Sequence, residues 1–206
     1  MTVTLAQLAL YAGALLILWV TPGPVFVAIA ARSMTGGFAS AWPLALGVTI
    51  GDVVWPLVAI FGLTAVVGDH AHLLGILRWV AAAVFAMMGA GLVAHAGRPI
   101  SADGRLTRPG RWAGFSAGVA AILGNPKAIL FYMGVLPGFF DLARVTLPDI
   151  VVIIALSTTI PLIGNLLAAA TVARVRARLT SPAVLRRVNL TAGALLIVVG
   201  VVIALI

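Results

Sequence analysis

The chain contains no cysteine. Disulfides, thiolate metal sites and dithiol redox chemistry are therefore excluded. Charge is also scarce, at 9% of 206 residues, where a water-soluble domain carries about 25%. Apolar types make up 63% and the mean hydropathy is +1.20. So few polar groups leave too little to cover a water-facing surface, and lipid is the solvent for most of the chain. Acids number five and histidines three. His70 and His72 fall in an expected loop, so a metal cluster has no support. The net charge of +8 would point to nucleic acid in a soluble protein. Here the basic residues gather in a few loops, as cytoplasmic loops of membrane proteins do. No nucleic-acid partner, cofactor or metal is expected.

What is abundant is apolar sequence in long runs. A span needs about 20 mostly apolar residues. Six segments qualify, at residues 5–31, 39–66, 71–93, 113–137, 149–172 and 188–206. Arg32 lies in the first loop, Arg98, Arg105, Arg108 and Arg111 in the third, and Arg174, Arg176, Arg178, Arg186 and Arg187 in the fifth. The positive-inside rule puts those loops in the cytoplasm and both termini outside. The Arg clusters need no role beyond orientation. No Lys or Arg precedes the first apolar run, so it reads as a retained helix and not a signal peptide.

The expected architecture is an all-α membrane protein forming a single transmembrane domain over residues 1–206. Its halves, about 1–98 and 112–206, are joined by a basic cytoplasmic loop at 94–112. Three spans per half invert the second half relative to the first. Two apolar runs carry helix breakers at matching places: Thr21-Pro22-Gly23-Pro24 in the first span and Gly124-Asn125-Pro126-Lys127 in the fourth. Paired interruptions of this kind point to an inverted-repeat transporter. Proline lacks an amide hydrogen and clashes with the preceding turn. Thr21 reads as an N-cap with Pro22 opening a new helical segment, and Asn125 with Pro126 repeats the pattern. Both breaks then aim amides and a positive helix end inward, which suits a carboxylate. A plain proline kink is the simpler alternative.

Asp52 lies about 13 residues into the second span, roughly 20 Å along the axis. Lys127, the only lysine, sits at similar depth in the fourth. An acid in the hydrocarbon costs about 2.5–3.5 kcal/mol on insertion scales, so one placed there implies a use. Equal depth makes the two an expected ion pair, either structural or meeting a substrate's ammonium and carboxylate. Asn165, after Pro161 and Gly164, is a buried amide for an interhelical hydrogen bond or a substrate. Trp55 lies one turn from Asp52 and is a candidate cavity wall. Gly47 with Gly51, and Gly110, Gly114 and Gly118, have the four-residue spacing of close helix contacts. General packing explains them more simply than a homodimer face.

Taken together, Thr21-Pro22-Gly23-Pro24, Gly51-Asp52 with Trp55, and Asn125-Pro126-Lys127-Ala128 resemble the LysE/RhtB family of amino-acid exporters over the whole length. The resemblance implies a secondary transporter of the bacterial inner (plasma) membrane. It implies export of amino acids or close derivatives from the cytoplasm, with protons as the coupling ion and no enzymatic activity. By position, Pro22, Gly23, Pro24, Asp52, Asn125, Pro126 and Lys127 form the central site. One departure is that no second buried acid follows the second span. Two rival readings remain. A metal cation or other small ion as cargo is disfavoured by one deep acid facing a lysine, since hard cations want several oxygen ligands. A non-transporting membrane protein, as an enzyme or assembly partner, would not need charges at that depth, and an enzyme would need a nucleophile with its base.

Overall fold

The computed structural model describes residues 2–21, 23–62 and 109–179, with side chains to residue 175, and scattered positions between 79 and 96 and between 183 and 201. Every regular element among them is helical. The expected spans at 71–93 and 188–206, and most of the 94–112 loop, lie outside the continuously described residues.

Helix α1 runs Leu5–Val20. Its start is a capping box. Gln7 N donates to Thr4 Oγ1 at 3.2 Å, and Thr4 N donates to Gln7 Oε1 at 2.9 Å. Helix α2 runs Pro24–Leu57, continued by a wider π-type turn at Val58–Gly62. It consists of two arms. Gly37 holds φ 67° and ψ −167°, a left-handed conformation that costs glycine nothing. Along a straight rod, Val25 and Asp52 would stand about 40 Å apart. Instead both line one cavity, and Arg32 Nε donates to Ser40 O at 2.6 Å. The chain therefore doubles back at Gly37, and residues 24–36 and 38–57 form a tight hairpin.

This corrects the expected first loop. Helix continues to the Gly36-Gly37 pair because the reversal needs a single residue outside helical geometry. Arg32 is consequently no solvated loop charge. It is 1% exposed, on the last turns of the first arm, and its Nη2 also reaches Gly110 O at 3.3 Å. The guanidinium joins the hairpin tip to the start of the next broken span.

That span comprises α3 (Arg111–Leu123) and, after a break, α4 (Pro126–Leu130), a π-type turn (Phe131–Val135) and α5 (Leu136–Phe139). Its two pieces meet at 47°. Helix α6, Leu147–Leu179, is 33 residues long, about 50 Å. It exceeds the hydrocarbon core of about 30 Å and packs on α2 and α1. By length and apolarity Leu147–Val175 qualifies as membrane-crossing, and the bent pair Arg111–Leu123 and Pro126–Phe139 adds a broken crossing; Pro24–Gly62 is long and apolar enough as well, but its fold-back at Gly37 divides that length between two arms.

The glycine spacing is a packing seam between the second arm of α2 and α3. A Cβ at Gly47 would fall on the Phe115 carbonyl, and one at Gly118 on the Leu44 carbonyl. Backbone touches backbone there, as small residues permit in lipid. At the opposite end of the bundle, Asp149 is buried in the first turn of α6. It accepts from Thr146 N at 2.9 Å, Thr2 N at 3.1 Å, Thr2 Oγ1 at 3.0 Å and Val3 N at 3.3 Å. One carboxylate thus caps α6 and ties down the start of the chain. Beneath it, Tyr11 packs among Phe131, Phe139 and Phe140 with ring centroids 6.2, 5.6 and 5.2 Å away. Its hydroxyl lies 2.6 Å from Ser157 Oγ.

Gly118→Val should lower stability by about 1–3 kcal/mol by forcing the two backbones apart, read as a lower unfolding temperature in detergent. Ala120→Val, at an exposed position of the same helix, should leave that temperature nearly unchanged.

Candidate functional site

The second break forms as the sequence implies. Asn125 is extended at φ −83° and ψ 105°, and its Oδ1 accepts from Lys127 N at 3.2 Å. Pro126 follows at the first helical position, where its missing N–H is no loss. The first break is arranged differently. Thr21 is the C-cap of α1 and not an N-cap: its N donates to Ile17 O at 3.1 Å and its Oγ1 to the same oxygen at 2.6 Å. The N-cap of α2 is Gly23, with Pro24 opening the helix. A proline pushes the residue before it out of helical geometry. Thr21 precedes Pro22 and Gly23 precedes Pro24, so helix cannot resume until Pro24. Pro22 itself lies outside the described residues.

Gly23 makes no side-chain cap. Val27 N bonds to Gly23 O at 3.0 Å. The amides of Val25 and Phe26, with no carbonyl four residues back in the helix, are left to face outward from the helix start. Both residues line a cavity.

Lys127 is 6% exposed and does not close on Asp52. Its Nζ donates to Leu18 O at 2.7 Å and Thr21 O at 2.5 Å, the last carbonyls of α1. The expected direct ion pair is thus replaced by a lysine capping the negative end of a half-helix. Carbonyls that had lost their helical partners offered closer acceptors than the acid did. Gly23 makes the path: a Cβ there would lie 3.3 Å from Lys127 Cε. Each such charge-assisted bond contributes about 1.5–3 kcal/mol.

Asp52 is 3% exposed; its Oδ2 and the hydroxyl of Tyr132 each lack a hydrogen bond at normal distance to another described residue, yet the two groups are near neighbours. Asn165, 5% exposed on α6, makes no hydrogen bond to another described residue. Asp52, Asn125, Lys127, Thr21 and Asn165 all line the same cavity, whose open space totals about 450 Å³ including its mouth. The structure thus gathers five of the ten candidate residues. Gly23 stands behind Lys127, and Pro24 and Pro126 are exposed scaffolding of the breaks. Trp55 lies outside the lining. Its Nε1 donates to Ile122 O at 3.3 Å, which answers a carbonyl next to the second break.

Sequence reasoning missed Trp19, Phe26 and Tyr132. Trp19 lines the cavity and lies on Gly164, where any Cβ would overlap its indole ring. That fit links residues far apart in the chain and has no local signature. Phe26 was legible in hindsight, since the first residues after a break face whatever the break faces.

Broken helices that meet round a buried polar cavity in lipid define a membrane transporter. The LysE type translocator model matches residues 16–205, and the chain belongs to that family. It is 32% identical over 189 residues to an uncharacterized membrane protein of Synechocystis, covering 92% of this chain and 91% of that one. It is 36% identical over 113 residues to the chemotactic transduction protein ChpE of Pseudomonas aeruginosa, covering 55% of each chain. No solved structure gives a significant match.

Asn125→Ala should cost about 1 kcal/mol of stability through loss of the cap, while Asn125→Ser, which keeps a capping oxygen, should cost less. Unfolding temperatures of the three proteins in one detergent check the order.

Proposed function

We propose that this translocator exports amino acids, or close derivatives, from the cytoplasm in exchange for protons. The observation that carries the reading is one cavity holding complementary halves of a zwitterion site. Asp52 Oδ2 is a buried acceptor with no hydrogen bond at normal distance to another described residue. The amides of Val25 and Phe26, at a helix start with no side-chain cap, and the Lys127 ammonium are donors on the same cavity. A substrate ammonium on Asp52 and its carboxylate on those donors would answer both. Buried polar groups left unanswered cost about 1–3 kcal/mol each, so an empty site favours filling.

The coupling follows from the same acid. Asp52 exchanges a proton for the substrate's ammonium, so that it is not left as a bare buried charge between loads. The remaining architecture in this reading is six spans in two inverted halves, with both termini outside the inner membrane. The two broken spans support the repeat: α1 with the first arm of α2, and α3 with the segment Pro126–Phe139. Each breaks ahead of a proline at the level of the cavity. Opening towards the Asp149 end requires α1 and α6 to part, which breaks the Thr2–Asp149 bonds and the Tyr11–Ser157 contact.

A metal cargo is less well served, because Asp52 is the single carboxylate among the described lining residues.

Asp52→Asn should insert and fold, yet reduce amino-acid exchange in proteoliposomes to the level of protein-free vesicles. Normal exchange of the whole amino-acid panel by that variant would remove Asp52 from the mechanism. Exchange of a metal cation in place of amino acids by the unaltered protein would reverse the choice of cargo.

A further inference from the structure

Resting on that reading, we infer that the cavity is selective for amino acids with an uncharged side chain, and that Asn165 sets this selectivity. Once the substrate's ammonium occupies Asp52 and its carboxylate the donors at the first break, the remaining lining includes a wall formed by Trp19, Phe26, Val48, Ile122, Pro161 and Asn165. Five of those six are apolar. Among the described lining residues no second acid and no second base is present.

A cationic side chain would enter that wall without a counter-charge, and would share the cavity with the Lys127 ammonium. An anionic one would compete with the substrate's own carboxylate for the same few donors and would face Asp52. Rejection of both comes from leaving a charge unanswered in a dry site, which discriminates more strongly than any gain from apolar contact. Of the uncharged polar lining residues, Thr21 donates to Ile17 O and Asn125 accepts from Lys127 N, both within the breaks, which leaves Asn165 as the polar residue of this wall. The residue is 5% exposed, and its side-chain amide has no hydrogen bond to another described residue. Being neutral, it adds no preference for either sign of charge. Its position is set from behind, since Gly164 admits the Trp19 ring against α6 next to it. An acid at 165 would supply the counter-charge that the wall lacks.

The test is counterflow into proteoliposomes loaded with leucine, methionine, lysine or glutamate, for the unaltered protein and for Asn165→Asp. Leucine and methionine should exchange several-fold faster than lysine or glutamate in the unaltered protein. Asn165→Asp should raise the lysine-to-leucine rate ratio by about tenfold, a change of about 1.4 kcal/mol. Lysine or glutamate exchanging as fast as leucine in the unaltered protein would overturn the inference while leaving the amino-acid exporter standing. An unchanged ratio in a monodisperse Asn165→Asp protein would remove Asn165 as its determinant. Should that variant fail to fold, the panel on the unaltered protein decides the selectivity. No exchange of any amino acid by the unaltered protein would overturn the exporter reading and this inference with it.

Discussion

A helix cannot be broken in lipid unless something inside the protein answers the backbone groups it frees, because no water is there to do so. Lys127 is that answer at the first break. Its ammonium takes the carbonyls of Leu18 and Thr21, and its stem passes over Gly23. The charge comes from the second break, whose own cap, Asn125, holds the Lys127 amide. The two interruptions are therefore joined: the first is stabilised by the residue that follows the second's proline, and Gly23 in the first leaves room for its side chain. Carbonyls at the end of α1 are satisfied in this way, while the start of α2 carries no side-chain cap. Among the described residues, Asp52 across the cavity has no cation within hydrogen-bonding distance.

That arrangement needs the two broken spans to lie very close. The glycine seam between the second arm of α2 and α3 supplies the closeness, with Gly47 against Phe115 and Gly118 against Leu44 at backbone contact. Arg32 fixes the same pair of elements at the hairpin tip through Ser40 and Gly110. Further along, Ile122 lies in the space left by Gly51 and accepts from Trp55. The result is a rigid floor under the cavity. The opposite end is held by different means: one carboxylate, Asp149, and a cluster of aromatic rings. A clasp of hydrogen bonds and ring contacts separates more readily than interlocked backbones, so the two ends of the bundle differ in how easily they part.

The site was partly legible before folding was considered. Asp52, Lys127, Asn125 and Asn165 stand out because polar groups in apolar runs are expensive, and all four line the cavity. The capping role of Asn125 follows from local chemistry with Pro126 and was read directly. Thr21 was misread because Pro22 looked like a helix start, when the second proline, two residues on, delays the restart to Pro24. Arg32 was taken for a loop charge because a charge at the end of an apolar run ordinarily meets water or headgroups. It is instead buried, bonded to Ser40 and to Gly110, which is distant in sequence. Asp52 and Lys127 do face one cavity and feel each other's charge, but they do not close into a direct ion pair, because depth along a helix says nothing about direction around it.

Composition and breaker placement by themselves determined that the chain lives in lipid, that two spans are interrupted, and that charge is kept at their depth. Those features depend on solvent and on local backbone sterics, which act within a few residues. Tertiary structure alone decided the partners. Lys127 reaches oxygens 106 and 109 residues away, and Asp149 reaches back 147 residues to Thr2. Only the packing of helices selects among acceptors at equal depth, because a side chain bonds to the nearest properly oriented atom, whatever its place in the chain.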